Sequence, residues 1–177
     1  MSHTTTNTFG ALSLAVADRV QRAVEEVAGH GSSGPAALLA LDGFAGGGSI
    51  DSLRKILGIT HSGAVRLVDR LAAAGLVERR IGADARRVSI HLTPEGRRTA
   101  RRVRSAREAA LEHVLAPLSE AEQSSLESLL SGMFSVLVET PDDALRVCRL
   151  CDGNACGDRT GRCPAAEAVG LSSHGRP

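Results

Sequence analysis

The chain has 177 residues, of which 42% are hydrophobic, and a net charge of +1. This length and composition exclude an intrinsically disordered chain and fit one domain with helical extensions. With three Phe and no Trp or Tyr, the core is expected to consist of Leu, Val, Ile and Ala. No apolar run is long enough to cross a membrane, and the polar N-terminus lacks the pattern of a secretion signal. We therefore expect a cytoplasmic protein without a membrane partner.

The first half of the chain has apolar residues at helical spacing, interrupted by glycines. Pro35, Asp51 and Thr60 are suited to the starts of helices, and Gly75 to a helix end. Gly58 lies in a tight turn between two of these helices, which is the pattern of a helix-turn-helix. The predicted elements are a disordered stretch at 1–8 and helices at 11–28, 36–44, 52–57 and 61–74.

The second half begins with two alternating segments, which predict strands at 76–81 and 87–92 joined by a hairpin loop. Thr93 and Pro94 then form the cap and first position of a long helix to about residue 115. Ser119 and Glu122 form a capping box for a final helix, which Pro141 is expected to end. The fold class predicted is mainly α, a winged helix-turn-helix with long helices at both ends.

The basic residues are concentrated in one part of the chain. Between Thr60 and Glu108 there are twelve Arg and five acidic residues, a local balance of +7. Such a patch indicates a polyanionic partner, although a solvated arginine-rich helix face would have the same composition. We expect the polar face of the second helix of the helix-turn-helix, together with the hairpin, to contact DNA. The candidate DNA-binding residues are Thr60, His61, Ser62, Arg66, Arg70, Arg79, Arg80, Asp84, Arg86 and Arg87.

These residues suit different parts of a DNA duplex. An arginine such as Arg66 can donate to two acceptors of one guanine in the major groove. Thr60, at a helix N-terminus, can hold a phosphate. Arg86 and Arg87 at the hairpin tip suit the minor groove or the flanking phosphates.

Five segments of this pattern resemble the MarR family of bacterial regulators. The segments are Leu57 to Thr60, Ala64 to Leu71, Gly75 to Arg80, Asp84 to Arg86 and Leu92 to Gly96. The resemblance extends over roughly residues 11–140. It implies a winged-helix homodimer that binds double-stranded DNA at a pseudo-palindromic operator and usually represses nearby genes.

The resemblance also implies roles for individual regions. Asp84 would position the hairpin, or wing, and Arg86 would enter the groove. Many members bind a small effector, but the near absence of aromatic residues gives no basis for inferring one here. With the resemblance covering the middle of the chain, we predict these boundaries: a disordered N-terminus at 1–8, a winged-helix domain at 9–140 with its DNA-binding core at 34–93, dimerisation helices at 11–28 and 94–138, a cysteine segment at 141–168 and a disordered tail at 169–177.

All four cysteines lie within one short segment, with the spacing C-x2-C-x4-C-x6-C. Four thiolates in a glycine-bearing loop predict a tetrahedral zinc site, with an iron–sulfur cluster as the alternative. The resemblance to MarR proteins does not cover this segment, so the site could be structural or could sense metal or redox state. The candidate ligands are Cys148, Cys151, Cys156 and Cys163.

Two further readings of the cysteines remain open. Cys148 and Cys151 could form a metal-free thiol switch, or the redox pair of a thiol oxidoreductase. The oxidoreductase lacks the strand–helix context that its motif requires, and the chain has no phosphate-binding loop or nucleophile–base pair. We therefore predict a protein that is not an enzyme.

Overall fold

Helices dominate the fold, and a two-stranded antiparallel sheet lies between the fourth and fifth of them. The computed structural model describes residues 2–44, 47–81, 88–152 and 163–170. The helices are α1 (His3–Ala28), α2 (Ser33–Leu39), α3 (Ile50–Leu57), α4 (His61–Ala73), α5 (Pro94–Leu115), α6 (Glu120–Leu137), α7 (Pro141–Val147) and α8 (Pro164–Glu167). A π-helical turn, Ala40–Phe44, continues α2, and the strands are β1 (Val77–Ile81) and β2 (Val88–Leu92). This is the predicted mainly α winged helix.

The core is aliphatic, as the composition predicts. It is formed by α1, α2, α3, α4, the sheet and α5. The largest side chains fully buried in it are Leu38, Leu39, Leu53, Leu67, Leu71 and Ile90. Branched aliphatic residues fill such a core in staggered rotamers without any polar atom to satisfy.

The sheet is held to the helices on both sides. Val77 pairs with Leu92 and Ile81 with Val88. The N–H of Ile90 also donates to the carbonyl oxygen of Gly48, at 2.8 Å, which fixes the loop before α3 to the sheet. We refer to residues 33–92, from α2 through β2, as the winged-helix lobe.

The start of α5 closes tightly onto the end of this lobe. The hydroxyl of Thr93 donates to the carbonyl oxygen of Gly75 at 2.7 Å and accepts from the N–H of Gly96 at 3.0 Å. A Cβ on Gly96 would lie 1.9 Å from the carbonyl oxygen of Leu76. Only glycine fits here, because two backbones approach more closely than a methyl group allows.

The starts of α1 and α3 differ from the predictions. Helix α1 begins at His3, so residues 3–8 are helical rather than disordered, since they continue the backbone ladder of the helix without needing an apolar stripe. Ser49, not Asp51, caps α3, because its hydroxyl accepts from the N–H of Ser52 at 3.1 Å. Asp51 lies in the first turn and pairs with Arg54.

The end of α6 also differs from the prediction. Helix α6 ends at Leu137, and Pro141 opens α7 instead of only ending α6. The physical reason is that proline lacks an N–H, which a first helical position does not need. Among the described residues, no helix is long and apolar enough to cross a membrane.

Candidate nucleic-acid interface and cysteine cluster

Helix α4 has one buried face and one polar face. Ala64, Leu67, Val68 and Leu71 are buried in the core of the winged-helix lobe. Ala72 is partly buried and packs against the same core. The exposed residues of α4 include His61, Ser62, Arg66, Asp69 and Arg70. Burial of one side thus fixes which side chains the helix presents to solvent.

The N-terminus of α4 is capped as predicted. The Oγ1 atom of Thr60 accepts from the N–H of Gly63 at 3.1 Å and lies 3.3 Å from the Oγ atom of Ser62. Both hydroxyls are exposed at the first turn of the helix. The cap therefore holds Thr60 and Ser62 side by side where the partial positive charge of the helix dipole faces solvent.

Two of the predicted wing arginines form ion pairs. Arg79 contacts Asp69 at 2.6 Å, which connects β1 to α4, and Arg80 contacts Glu78 at 2.6 Å. Within the described ranges, Arg66 and Arg70 have no ion-pair partner. Among the described candidate residues, Arg66 and Arg70 are thus the arginines that pair with no described carboxylate.

Seven of the ten candidate DNA-binding residues are described and exposed, at the cap of α4, on α4 and on β1, and the structure brings Arg79 into contact with Asp69 of α4. The other three belong to the wing loop. Asp84, Arg86 and Arg87 lie outside the described residues, so their predicted roles stay predictions.

Three of the four cysteines come together at the C-terminal end of the fold. Cys148 follows the last residue of α7 and Cys163 precedes the first residue of α8; they are 5% and 2% exposed. The Cys148 thiol is hydrogen-bonded to those of Cys151 and Cys163, and these bonds, followed by burial, raise its pKa above the ordinary value. We call Cys148, Cys151 and Cys163 the cysteine cluster.

The cluster has a small apolar environment of its own. Val138, Ala144, Ala165 and Ala166 are buried around it, and Phe134 of α6 packs against it. A cleft of about 810 Å³ between α6 and this cluster is lined by the three cysteines. Cys156 lies outside the described residues. Among the described residues, no group of three or more His, Cys, Asp or Glu side chains is already arranged to hold a metal.

Helix α7 is not among the predicted elements, because residues 141–168 were expected to form a cysteine segment without a helix of its own. The sequence nevertheless contains a local signal for it. Thr140 and Asp143 form a second capping box, in which the carboxylate accepts from the Thr140 hydroxyl at 2.6 Å and from its N–H at 3.1 Å. This is the same pattern that correctly predicted the start of α6.

Comparisons with known proteins agree on the fold. Residues 35–87 match the family model described as MarR family. A MarR family protein from Bacillus stearothermophilus is 25% identical, with a TM-score of 0.61 over 75% of this chain and 95% of that chain. MepR, a transcription regulator of the Staphylococcus aureus multidrug efflux pump MepA, is 21% identical, with a TM-score of 0.63 over 77% of this chain and 99% of that chain.

A MepR mutant from the same organism has been solved bound to an oligodeoxyribonucleotide. It is 22% identical, with a TM-score of 0.57 over 77% of this chain and 99% of that chain. No curated protein matches the sequence. The chain therefore has the winged-helix fold of MarR-family transcription regulators, and its family match lies in the winged-helix lobe.

Proposed function

We propose that this chain, which shares the MarR-family winged-helix fold, is a sequence-specific DNA-binding repressor that acts as a homodimer and is not an enzyme. The observation that carries the proposal is that α4 has one buried apolar side and one exposed polar side. Its apolar side is buried in the core, while His61, Ser62, Arg66 and Arg70 are exposed together. A helix of this kind fits the major groove, where arginine can read guanine and the polar first turn can approach phosphates.

The proposed homodimer is supported by α6. This helix of 18 residues has no buried residue. Its exposed apolar side chains include Leu129 at 62%, Val136 at 75% and Leu137 at 67%. In α1, Phe9, Leu12 and Leu14 are also more than half exposed. Exposed apolar side chains that are concentrated on a helix often mark an interface, and we propose that a second copy of the chain covers those of α6 and α1.

A two-fold dimer gives a geometric expectation for the DNA. Two α4 helices related by the axis would enter successive major grooves about 34–36 Å apart. The operator is then a pseudo-palindrome with half-sites about 10–10.5 base pairs apart. The ion pair between Arg79 and Asp69 joins the wing strand to α4 within one chain, so α4 and the wing of each protomer would approach the DNA together.

This proposal is tested by selection from a randomised DNA duplex library with the full-length protein. We expect enrichment of an inverted repeat with one-turn spacing and one dimer bound per duplex. Binding that is equal for all duplexes and weakens only with salt would contradict sequence-specific recognition.

We further propose that the cysteines form a metal site, with zinc first and an iron–sulfur cluster second. Cys148 and Cys163 are buried, Cys151 is half-buried, and all three line the cleft beside α6. Three clustered thiols cannot all ionise by themselves, because like charges repel, whereas a cation would stabilise them as thiolates. Cys148, Cys151 and Cys163 would supply three ligands, and Cys156 is the candidate for the fourth. A metal-free thiol switch is the competing hypothesis.

Elemental analysis and a visible spectrum of protein purified without oxygen separate these hypotheses. One zinc per chain and no colour would support zinc. Brown protein with iron and sulfide would support a cluster. Colourless protein without metal would leave the thiol switch. The near-ultraviolet part of the spectrum is also easy to interpret, because the chain has no Trp or Tyr.

A further inference from the structure

Helix α7 connects the cysteine cluster to the core of the winged-helix lobe. Leu145 of α7 and Leu150, just after it, pack against the aliphatic core. Ala144 and Cys148, also in or next to α7, are buried in the cysteine cluster. One short helix therefore packs against both the aliphatic core and the cysteine cluster. A displacement of one end of α7 must displace the other end, because closely packed side chains leave little free space.

The neighbour of α7 in the lobe is α3, the first helix of the helix-turn-helix. A Cβ on Gly58, in the turn before α4, would lie 3.1 Å from the Nε atom of Arg146. Gly58 has a positive φ of 65°, so the Arg146 side chain rests on a turn that already requires glycine. At the other end of α7, Asp142 lies 3.9 Å from the Nζ atom of Lys55 in α3.

A second contact joins the cysteine segment to α5. Arg104 of α5 pairs with Asp42 at 2.9 Å and lies 3.8 Å from Asp152, the residue after Cys151. These side chains are mostly shielded, with Arg104 at 22%, Asp42 at 23% and Asp152 at 15% exposed. Partly buried ion pairs are screened by solvent less than surface pairs. A displacement of Asp152 would therefore alter the electrostatic interactions of Arg104, which also pairs with Asp42 in the turn after α2.

From these contacts we propose that α7 transmits the state of the cysteine cluster to the helix-turn-helix of the same chain. The inference rests on the proposed metal site and DNA-binding function, and adds the route between them. Bound metal would fix Cys148, and with it the end of α7 that places Leu145 and Arg146 against α3 and the Gly58 turn. Loss of the metal would loosen that end, so that α4 is held in its DNA-binding position for a smaller share of the time.

The test compares the intact protein with a variant in which the link is cut. The variant Leu145→Ala with Arg146→Ala removes the two α7 side chains that contact the core and the turn. Its matched control, Val147→Ala with Arg149→Ala, removes an aliphatic residue and an arginine from exposed positions of the same segment. Arg146→Ala alone is the second variant, since it leaves the core intact if the double variant unfolds.

Two readouts are measured with the metal bound and after chelation. The first is hydrogen–deuterium exchange of the α3 and Gly58-turn amides without DNA. The second is affinity for the selected operator duplex. Chelation should increase exchange in α3 and weaken the operator complex by about 5- to 150-fold in the intact protein and the matched control. In the Leu145→Ala/Arg146→Ala variant and in Arg146→Ala alone, we expect metal still to bind. The change in exchange and the change in the logarithm of operator affinity should each fall to less than about one quarter of the change in the intact protein.

Each contrary result is distinguishable from failure of the proposed function. If chelation removes the metal without changing exchange in α3, or if the linkage variants respond like the control, the proposed route is wrong while DNA binding stands. If no operator is selected, the regulator proposal fails, but the exchange experiment still decides the route. A protein that takes up neither zinc(II) nor an iron–sulfur cluster would overturn the inference together with the metal site.

Discussion

Helices α4 and α6 look alike in the sequence but are placed very differently in the fold. Both are amphipathic and both have a hydroxyl residue that caps the N-terminus. Helix α4 buries Ala64, Leu67, Val68 and Leu71, whereas α6 buries nothing. An apolar stripe thus shows that a helix has a partner, but not whether that partner lies in the same chain. For α4 it is the core of the winged-helix lobe, and for α6 we propose a second protomer.

A matched pair of leucine substitutions gives the sharpest test of this difference. Leu71→Ala removes a fully buried side chain and should lower the free energy of unfolding by about 2–5 kcal/mol. Leu129→Ala, at a position 62% exposed, should leave the stability of the monomer nearly unchanged but make the melting temperature depend more strongly on protein concentration. Chemical denaturation gives the free energy of unfolding, and thermal unfolding at several protein concentrations gives the concentration dependence of the melting temperature. Equal losses for the two variants would contradict the comparison.

A pair of glycine substitutions compares a helix packed against the lobe, here α5, with the exposed helix α6. Gly96→Ala places a methyl group 1.9 Å from the Leu76 carbonyl oxygen, so the α5 start must move away from the lobe. We expect a loss of about 3 kcal/mol, as for other overpacked sites. Gly132→Ala in α6 meets nothing within 4 Å and should stabilise the helix by about 0.5–1 kcal/mol. Thermal unfolding would show a lower Tm for the first variant and an unchanged or higher one for the second.

The proposed dimer is tested by adding charge to the apolar side of α6. Leu137→Glu puts a carboxylate where a leucine would be buried, which should weaken association by about 2–3 kcal/mol per substituted site. Ser128→Glu, at an exposed polar position of the same helix, is the control. Analytical ultracentrifugation should find monomer for the first variant and dimer for the second. A dimer that survives Leu137→Glu would place the interface elsewhere.

The polar side of α4 is tested with arginine substitutions on the selected operator. Arg66→Ala should weaken specific binding by about 2 kcal/mol, or about 30-fold, if the side chain reads a base. Arg101→Ala, an exposed arginine of α5, is the control for loss of one positive charge. The loss for Arg66 should be concentrated at one operator position. An equal loss on all duplexes would make Arg66 a phosphate contact.

The order of elements could be predicted from the sequence because local signals determine it. Thr60, Thr93 and Ser119 cap helices at the predicted places, and each side-chain oxygen accepts from the expected backbone N–H. Alternating residues correctly located both strands of the wing to within one residue. Capping and alternation involve neighbours only a few residues apart, so they can be seen without a structure.

The candidate site could be predicted only in part, because its remaining features depend on distant residues. The exposed face of α4 followed from its periodicity. The contact between Arg146 and the Gly58 turn joins residues 88 positions apart, and the Arg104 network joins α5 to both Asp42 and Asp152. Nothing local in the sequence marks such pairs, so the connection between the cysteine cluster and the helix-turn-helix required the fold.

The smallest expected effect concerns acid stability and the start of α6. Hydrogen bonds from Ser119 hold the pKa of Glu122 below its ordinary value of 4.5, and those from Thr140 hold the pKa of Asp143 below 3.8. A carboxyl whose pKa is lower in the folded state stabilises the fold above its unfolded pKa, and this contribution disappears as the pH falls through the folded pKa. Stability should thus be constant from neutral pH to about pH 5 and decline below the ordinary carboxyl values.

Ser119→Ala tests how much of this decline belongs to α6. The substitution removes the cap and should lower stability at neutral pH by about 1 kcal/mol. It should also make the acid decline shallower, because Glu122 loses the Ser119 hydroxyl, the first of the two donors that lower its pKa, and keeps only the backbone N–H. A helix with no buried residue depends on its cap until a second protomer covers it, so dimerisation should reduce the effect. If Ser119→Ala has the same cost at concentrations that favour monomer and dimer, α6 is not stabilised by the partner.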